Sequence, residues 1–278
     1  MENNAWEIVK ISRDKKRPNF RYYIDKMFYD FVELNGDRRY GEGRVIIGGF
    51  AKLNRSRKKV MIIGHNKEKD PKKMHQANYG QPLPEDFRKA FRLLKLSEKY
   101  SLPVITFVDT PGAHASREAE ERGIAYSIAA NLLEMSRIRV PILTCIIGEG
   151  GSGGALGIAI GDKILMQEKA YYSVISPEGC SSILWKKKGM VKQSADILKL
   201  RAEDLLKYGI IDEIVSEPNG GAHKDSDKAE EKLHESILSN LENLLKLGTD
   251  ELLKLRRDKW RKIGDFFNES CKTSYKKG

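Results

Sequence analysis

The run IIGEGGSGGAL, from Ile146 to Leu156, sets five glycines between an apolar stretch and a short helical one. FVDTPGA, from Phe107 to Ala113, repeats the arrangement: an apolar run closes in a turn containing Pro111 and Gly112. A strand that stops in a glycine turn and restarts as a helix leaves several amide N–H groups without an intrahelical partner. The helix dipole adds positive potential at the same place. Glycine lets a reacting group approach the main chain, because no Cβ intervenes and positive φ carries little penalty. Two such turns in one domain predict a site that holds negative charge on oxygen.

Other chemistries compete for the same residues. Gly148, Gly150 and Gly153 fit the GxGxxG pattern of a dinucleotide-binding turn, and Glu168 stands where the acidic ribose partner would. Only Gly154 to Asp162 separates the turn from the next strand candidate, which is short for a βαβ crossover. A Walker loop fails because Gly154 is followed by Ala155 rather than Lys. Ser152 in GGSGG invites a hydrolase reading, but an activated serine needs a base held by a third group. His65, His75, His114, His223 and His234 are scattered, and only His114 follows a glycine turn directly. Asp109 and Glu149 lie inside the turns and are candidates for acid or base work. Their capping and loop-stiffening role is the stronger reading, which leaves main-chain donors as the principal chemistry. Cys180, in SPEGC, has no cationic neighbour in sequence to activate it and reads as packing.

The chain has 278 residues, enough to bury a sizeable core as one large domain or two small ones. Its 50 Lys and Arg against 39 Asp and Glu give a net charge of +11, which favours phosphates and other acidic partners. The basic runs Arg13 to Arg17, Arg55 to Lys59, Lys186 to Lys188 and Arg256 to Lys262 are dispersed and read as solvated faces, so nucleic acid is not favoured. Three cysteines without a CxxC pair argue against a disulfide framework, and no metal-ligand spacing occurs. No stretch approaches the roughly 20 apolar residues of a membrane span, and the start lacks a signal-peptide pattern, so a cytoplasmic location is expected and no membrane partner.

Residues 1–36 read as an N-terminal arm and helix, 37–222 as the core, and 223–278 as a C-terminal helical extension of one continuous domain. The apolar spacing predicts a helix over Arg21 to Leu34 and a hairpin of strands Arg44 to Leu53 and Lys58 to His65. A long loop from Asn66 to Leu83 precedes a helix over Pro84 to Tyr100 and the strand Leu102 to Val108. The helix Ala119 to Arg137 and the strand Val140 to Ile147 follow. A short helix from Ser152 leads to strands at Lys163 to Met166 and Tyr171 to Ile175, and Ser176 and Pro177 open another helix. Helices over Val191 to Leu198 and Ala202 to Tyr208 and a strand Ile210 to Val215 lead to two terminal helices, Asp227 to Leu247 and Thr249 to Phe267. There Trp260 and the Phe266 and Phe267 pair are candidates for a core or an interface. Strand, strand, helix recurs along the chain.

Taken together, GDRRYGEG, FVDTPGA, AEERG, IGEGGSGGAL, YSVISPEGCSSILWK and EPNGGAH closely resemble the alpha subunit of bacterial and plastid acetyl-CoA carboxylase carboxyltransferase, over about Trp6 to Gly264. The resemblance implies an α/β ClpP/crotonase-like spiral of repeated ββα units with flanking N- and C-terminal helices. It implies transfer of a carboxyl group from carboxybiotin on a separate carrier protein to acetyl-CoA, giving malonyl-CoA for fatty acid synthesis. Gly153 and Gly154 would then supply the backbone oxyanion hole for biotin, Gly150 and Gly151 would shape the turn, and Gly112, Ala113 and His114 would form the neighbouring substrate wall. Implied partners are a carboxyltransferase beta subunit in an α2β2 assembly, the biotin carboxyl carrier protein and biotin carboxylase. No metal is implied in this chain. The sequence departs from the family pattern in three places. AHAS at Ala113 to Ser116 replaces AYPG, GHNKEK at Gly64 to Lys69 replaces GHQKGR, and NYGQP at Asn78 to Pro82 replaces NFGMP. A noncatalytic alpha-like scaffold and another crotonase-type acyl-CoA enzyme remain alternatives.

Overall fold

A computed structural model describes residues 4–186 and 189–264. The chain runs α1 (Ala5–Ser12), α2 (Phe20–Met27), β1 (Phe28–Glu33), β2 (Ile46–Leu53), β3 (Lys59–His65), α3 (Pro71–Met74) and α4 (Pro84–Lys99). It continues β4 (Val104–Thr110), α5 (Arg117–Glu121), α6 (Ile124–Arg137), β5 (Ile142–Gly151), α7 (Ser152–Leu156), β6 (Lys163–Gln167) and β7 (Tyr171–Ser173). Then come α8 (Pro177–Leu184), α9 (Val191–Ile197), α10 (Ala202–Lys207), β8 (Glu213–Val215), α11 (Ser226–Leu245) and α12 (Thr249–Lys262).

The sheet has the order β1-β2-β3-β4-β5-β6-β8, with β7 also paired to β5. β1, β2 and β3 form an antiparallel meander, and from β3 onward the neighbours are parallel. Both faces of the parallel part are covered, so its strands read as continuous apolar runs, as buried parallel strands do. Alternate residues serve opposite faces. Val104, Val108, Ile142 and Ile146 join α4 and α6 in one core, while Ile105, Phe107, Leu143, Cys145 and Ile147 join α2 and α11 in the other. Phe107 stacks on Phe20 with ring centroids 4.9 Å apart, which anchors α2 beneath the strand that ends in the first glycine turn.

The helix expected over Arg21 to Leu34 stops at Met27. Phe28 caps it in extended geometry, and Phe28–Glu33 becomes the edge strand β1, paired antiparallel with β2. The apolar spacing fitted a helix, but FYDFVE is also rich in aromatic and β-branched types, and the open edge of β2 supplies the ladder that decides. The helix expected over Ala119 to Arg137 is two helices, hinged where Gly123 takes φ +79°. The expected hairpin is present, and the long loop after it contains only short helical turns. β5 runs further than the apolar pattern suggested, because Glu149, Gly150 and Gly151 pair with Tyr171, Tyr172 and Ser173 of β7. Trp260 is half-buried against the α4 and α6 core, whereas Phe266 and Phe267 lie outside the described residues.

Candidate active site: two abutting glycine turns

β4 and β5 are parallel neighbours, so their glycine turns emerge at the same sheet edge. They touch through main chain. A Cβ on Gly151 would lie 2.1 Å from the Pro111 carbonyl oxygen, and one on Gly154 would lie 2.4 Å from the Ala113 nitrogen and 2.5 Å from the Gly112 carbonyl carbon. Only glycine permits this approach. Gly112 adopts φ +146°, a region that side chains strongly disfavour.

Gly150 and Gly151 lie in the ladder to β7, and Gly153 and Gly154 lie in the first turn of α7. The N-cap of α7 is Gly151, which brings no side chain to bond the first-turn amides. Among the described residues no acceptor is bonded to the Gly153 or Gly154 amide. Ser152, at the corner, holds φ +51°, a left-handed conformation that a non-glycine residue keeps only where the surroundings impose it. Gly153 opens onto a cavity of about 310 Å³ lined by Ser152, Leu156, Tyr172, Val174, Leu198 and Leu205, among others. Gly154 is buried behind it, against Gly112 and Ala113.

The acids of the turns are committed elsewhere. Asp109 accepts the Glu149 N–H at 2.9 Å and faces Lys67 Nζ at 3.5 Å. Glu149 accepts from Arg13 Nε at 2.6 Å, from the Tyr171 hydroxyl at 2.9 Å, and from Lys67. Burial alone would raise the Glu149 carboxyl, but Lys67 and Arg13 overcome it and hold the group at about 2. A carboxylate fixed in the ionised state is a poor proton shuttle near neutrality. Burial pushes the Cys145 thiol up, and Cys180 is buried in α8, so neither is placed as a nucleophile.

His114 lies at the rim of the first turn. Its N–H donates to the Pro82 carbonyl at 2.9 Å, and its ring Nδ1 meets Gln81 Oε1 at 2.9 Å. His114 and Gln81 occupy the Tyr of AYPG and the Met of NFGMP, so two departures from the pattern meet and bond each other. Asn66 and Glu68, both departures within GHNKEK, likewise bond, Nδ2 to Oε1 at 3.0 Å.

The N-terminal arm reaches the site in a way the sequence did not reveal. Arg13 to Arg17 read as a solvated basic run, yet Arg17 is fully buried. It donates to both carboxylate oxygens of Glu217 at 2.9 and 2.6 Å and to the Ile147 carbonyl at 2.7 Å. Arg13 bridges Glu149 and Glu178. The partner acids lie 136 to 200 residues away along the chain, so spacing carried no signal. Arg256, in another run read as solvated, is buried on Asp162 and three main-chain carbonyls. Among the described residues no cluster of His, Cys, Asp and Glu is arranged to hold a metal, and no helix is long and apolar enough to cross a membrane.

The acetyl co-enzyme A carboxylase carboxyltransferase-like family model matches residues 2–264. The chain belongs to that family. It is 48% identical over 263 residues to the acetyl-coenzyme A carboxylase carboxyl transferase subunit alpha of Geobacter metallireducens, covering 95% of this chain and 82% of that protein. It is 46% identical to the subunit of the same name from Clostridium botulinum, covering 94% and 95%. Among solved structures, the transcarboxylase 12S core superimposes with a TM-score of 0.67 at 20% identity, over 87% of this chain and 44% of that one. The Pseudomonas malonate decarboxylase MdcD-MdcE heterodimer gives 0.63 at 13% identity, over 78% and 88%. At such identities the likeness is one of fold, the crotonase-like α/β architecture that the resemblance implied.

Proposed function

We propose that this chain is the alpha subunit of a biotin-dependent carboxyltransferase that moves a carboxyl group from carboxybiotin, held on a carrier protein, to acetyl-CoA, giving malonyl-CoA. The observation that carries the reading is the unpartnered Gly153 amide at the wall of the apolar cavity, with the Gly154 amide next in line. The cavity fits a small, largely apolar head group: its size is within the range of ligand pockets, and Leu156, Val174, Leu198, Leu205 and Ile210 line it beside Gly153. Biotin would supply the carboxyl group and an electron-rich ureido oxygen. Gly153 and Gly154 would direct N–H groups at that oxygen, with Gly150 and Gly151 setting the turn and Gly112, Ala113 and His114 forming the facing wall. A preorganised donor of this kind contributes about 3 to 4 kcal/mol toward the barrier.

No side chain of the turns is free to act as base, which fits chemistry in which the chain's part is electrostatic. Val174, in the cavity lining, is 76% exposed, and Ile183 and Leu184, at the end of α8, are 64% and 60% exposed. They suit a covering beta subunit, which would bring the thioester site. An α2β2 assembly, a biotin carboxylase partner for the carrier and a cytoplasmic setting complete the proposal. The test combines the purified chain with a carboxyltransferase beta subunit and measures biotin-dependent malonyl-CoA decarboxylation. Assembly without turnover would favour a noncatalytic scaffold, and turnover by the isolated chain would favour a self-sufficient acyl-CoA enzyme.

A further inference from the structure

His65 closes β3 beneath both glycine turns, fully buried. Its ring Nδ1 accepts the Asp109 N–H of the first turn at 3.4 Å, so the proton of a neutral ring sits on Nε2. That Nε2 is buried and, among protein groups, has no partner at ordinary hydrogen-bond distance. The second turn has a matching gap. A continued α7 would give the Ile158 N–H to the Gly154 carbonyl, but the helix ends after a single turn and Ile158 donates instead to Ala155 at 3.2 Å. Burial holds the imidazole neutral, down to about 3, against the main chains of Gly154 and Phe107, which act in the opposite direction.

We propose that His65 is a positioning residue for the oxyanion turn, its neutral ring bridging the Asp109 amide of one turn and the Gly154 carbonyl of the other. The assignment rests on the oxyanion reading of that turn. The Gly154 carbonyl belongs to the peptide unit that follows the Gly154 amide. A donor on it limits rotation of a segment that has no side chains of its own to fix it. A neutral donor also leaves no charge beneath the site. This tautomer is the one that can serve both turns at once.

Two variants and one spectrum test it in the assembled complex. In His65→Leu the acceptor for the Asp109 amide and the Nε2 donor are both lost, and kcat for malonyl-CoA decarboxylation should fall at least 10-fold with KM unchanged. In His65→Gln, whose amide both accepts and donates, most of kcat should return. Equal losses in both variants, or a wild-type kcat in His65→Leu, would overturn the proposal. Histidine ¹⁵N labelling of this chain alone gives a readout independent of activity: at pH 7 the His65 ring should be neutral and protonated at Nε2. A ring protonated at Nδ1, or a cationic one, would overturn the bridge even if His65→Leu fails to fold. A wild-type complex without turnover would sink the oxyanion reading and leave the tautomer as the deciding measurement.

Discussion

Gly154→Ala adds one methyl group where the two turns abut. The new Cβ would stand 2.4 Å from the Ala113 nitrogen, 2.5 Å from the Gly112 carbonyl carbon and 2.8 Å from its Cα. All three are main-chain atoms, so no side chain can swing aside. Ordinary contact begins at 3.4 Å, so the turns must part by about 1 Å, the difference between 3.4 and 2.4. Overpacking of this kind costs about 1 to 3 kcal/mol, which lowers Tm by several degrees in a chain of this size. Misplacing a catalytic group by about 1 Å costs roughly 100-fold in rate. Gly153→Ala is the control, because its Cβ meets only the Ile128 Cδ1 atom, at 3.4 Å. Its Tm should stay within about 2 °C of wild type. Steady-state decarboxylation and thermal melting of the assembled complexes decide the matter. A Gly154→Ala complex with wild-type kcat would place the chemistry elsewhere.

Glu149→Gln leaves Arg13 and Lys67 without their shared carboxylate and should cost about 3 kcal/mol in urea unfolding, while the shape of the kcat profile against pH stays unchanged. A new or vanished pH limb would make Glu149 a proton carrier. The same group sets a pH window for stability. Held at about 2 when folded and near 4.5 when unfolded, it contributes its full stabilisation above pH 4.5, and that contribution drains away as pH falls from 4.5 toward 2. A stability curve flat through that window, or steeper in Glu149→Gln than in wild type, would contradict the assignment. His114→Tyr alone should lose the bond to Gln81, and Gln81→Met alone should leave the ring unpaired. The double variant should recover, giving a coupling energy of at least about 0.5 kcal/mol in a double-mutant cycle. Strict additivity would refute the pairing. Arg17→Met should cost about 3 kcal/mol or more by stranding buried Glu217, and a loss below about 1 kcal/mol would show that water reaches that acid.

What could be read from the sequence was what local chemistry determines. Glycines after apolar runs announced both turns, and the continuous apolar runs of β4 and β5 announced buried strands. Ser176 followed by Pro177 marked the start of α8, and the Ser176 hydroxyl does cap the Gly179 N–H. The misreadings came where long-range partners outvote local pattern. Phe28–Glu33 had helical spacing but found the edge of β2. Arg17 and Arg256 lay in charge runs that read as solvated, yet each found an acid far along the chain and is buried on it. His65 passed as one scattered histidine among five, because nothing local to it shows that β3 ends beneath two turns from β4 and β5.

The network behind the turns answers a problem the sequence poses. On the proposed reading, a site that holds negative charge carries two carboxylates, Asp109 and Glu149, in the turns themselves. At an effective dielectric of about 20, a carboxylate roughly 8 Å from a developing oxyanion opposes it by on the order of 2 kcal/mol, much of what a single amide donor contributes. Removing the acids is not a simple remedy, because Asp109 orders the Glu149 amide, and a Cβ on Gly148 would stand 2.5 Å from the Asp109 carboxylate. The fold instead sets Lys67 and Arg13 against them, one from the loop after β3 and one from the N-terminal arm. The arm therefore belongs to the electrostatics of the turn. Arg13→Gln should leave Glu149 with Lys67 alone and shift the balance at the oxyanion toward repulsion. kcat should then fall more steeply than the melting temperature suggests, and the deficit should shrink as added salt screens the exposed fringe of the network. A loss of kcat that tracks stability alone, at every salt concentration, would reduce Arg13 to a fastener.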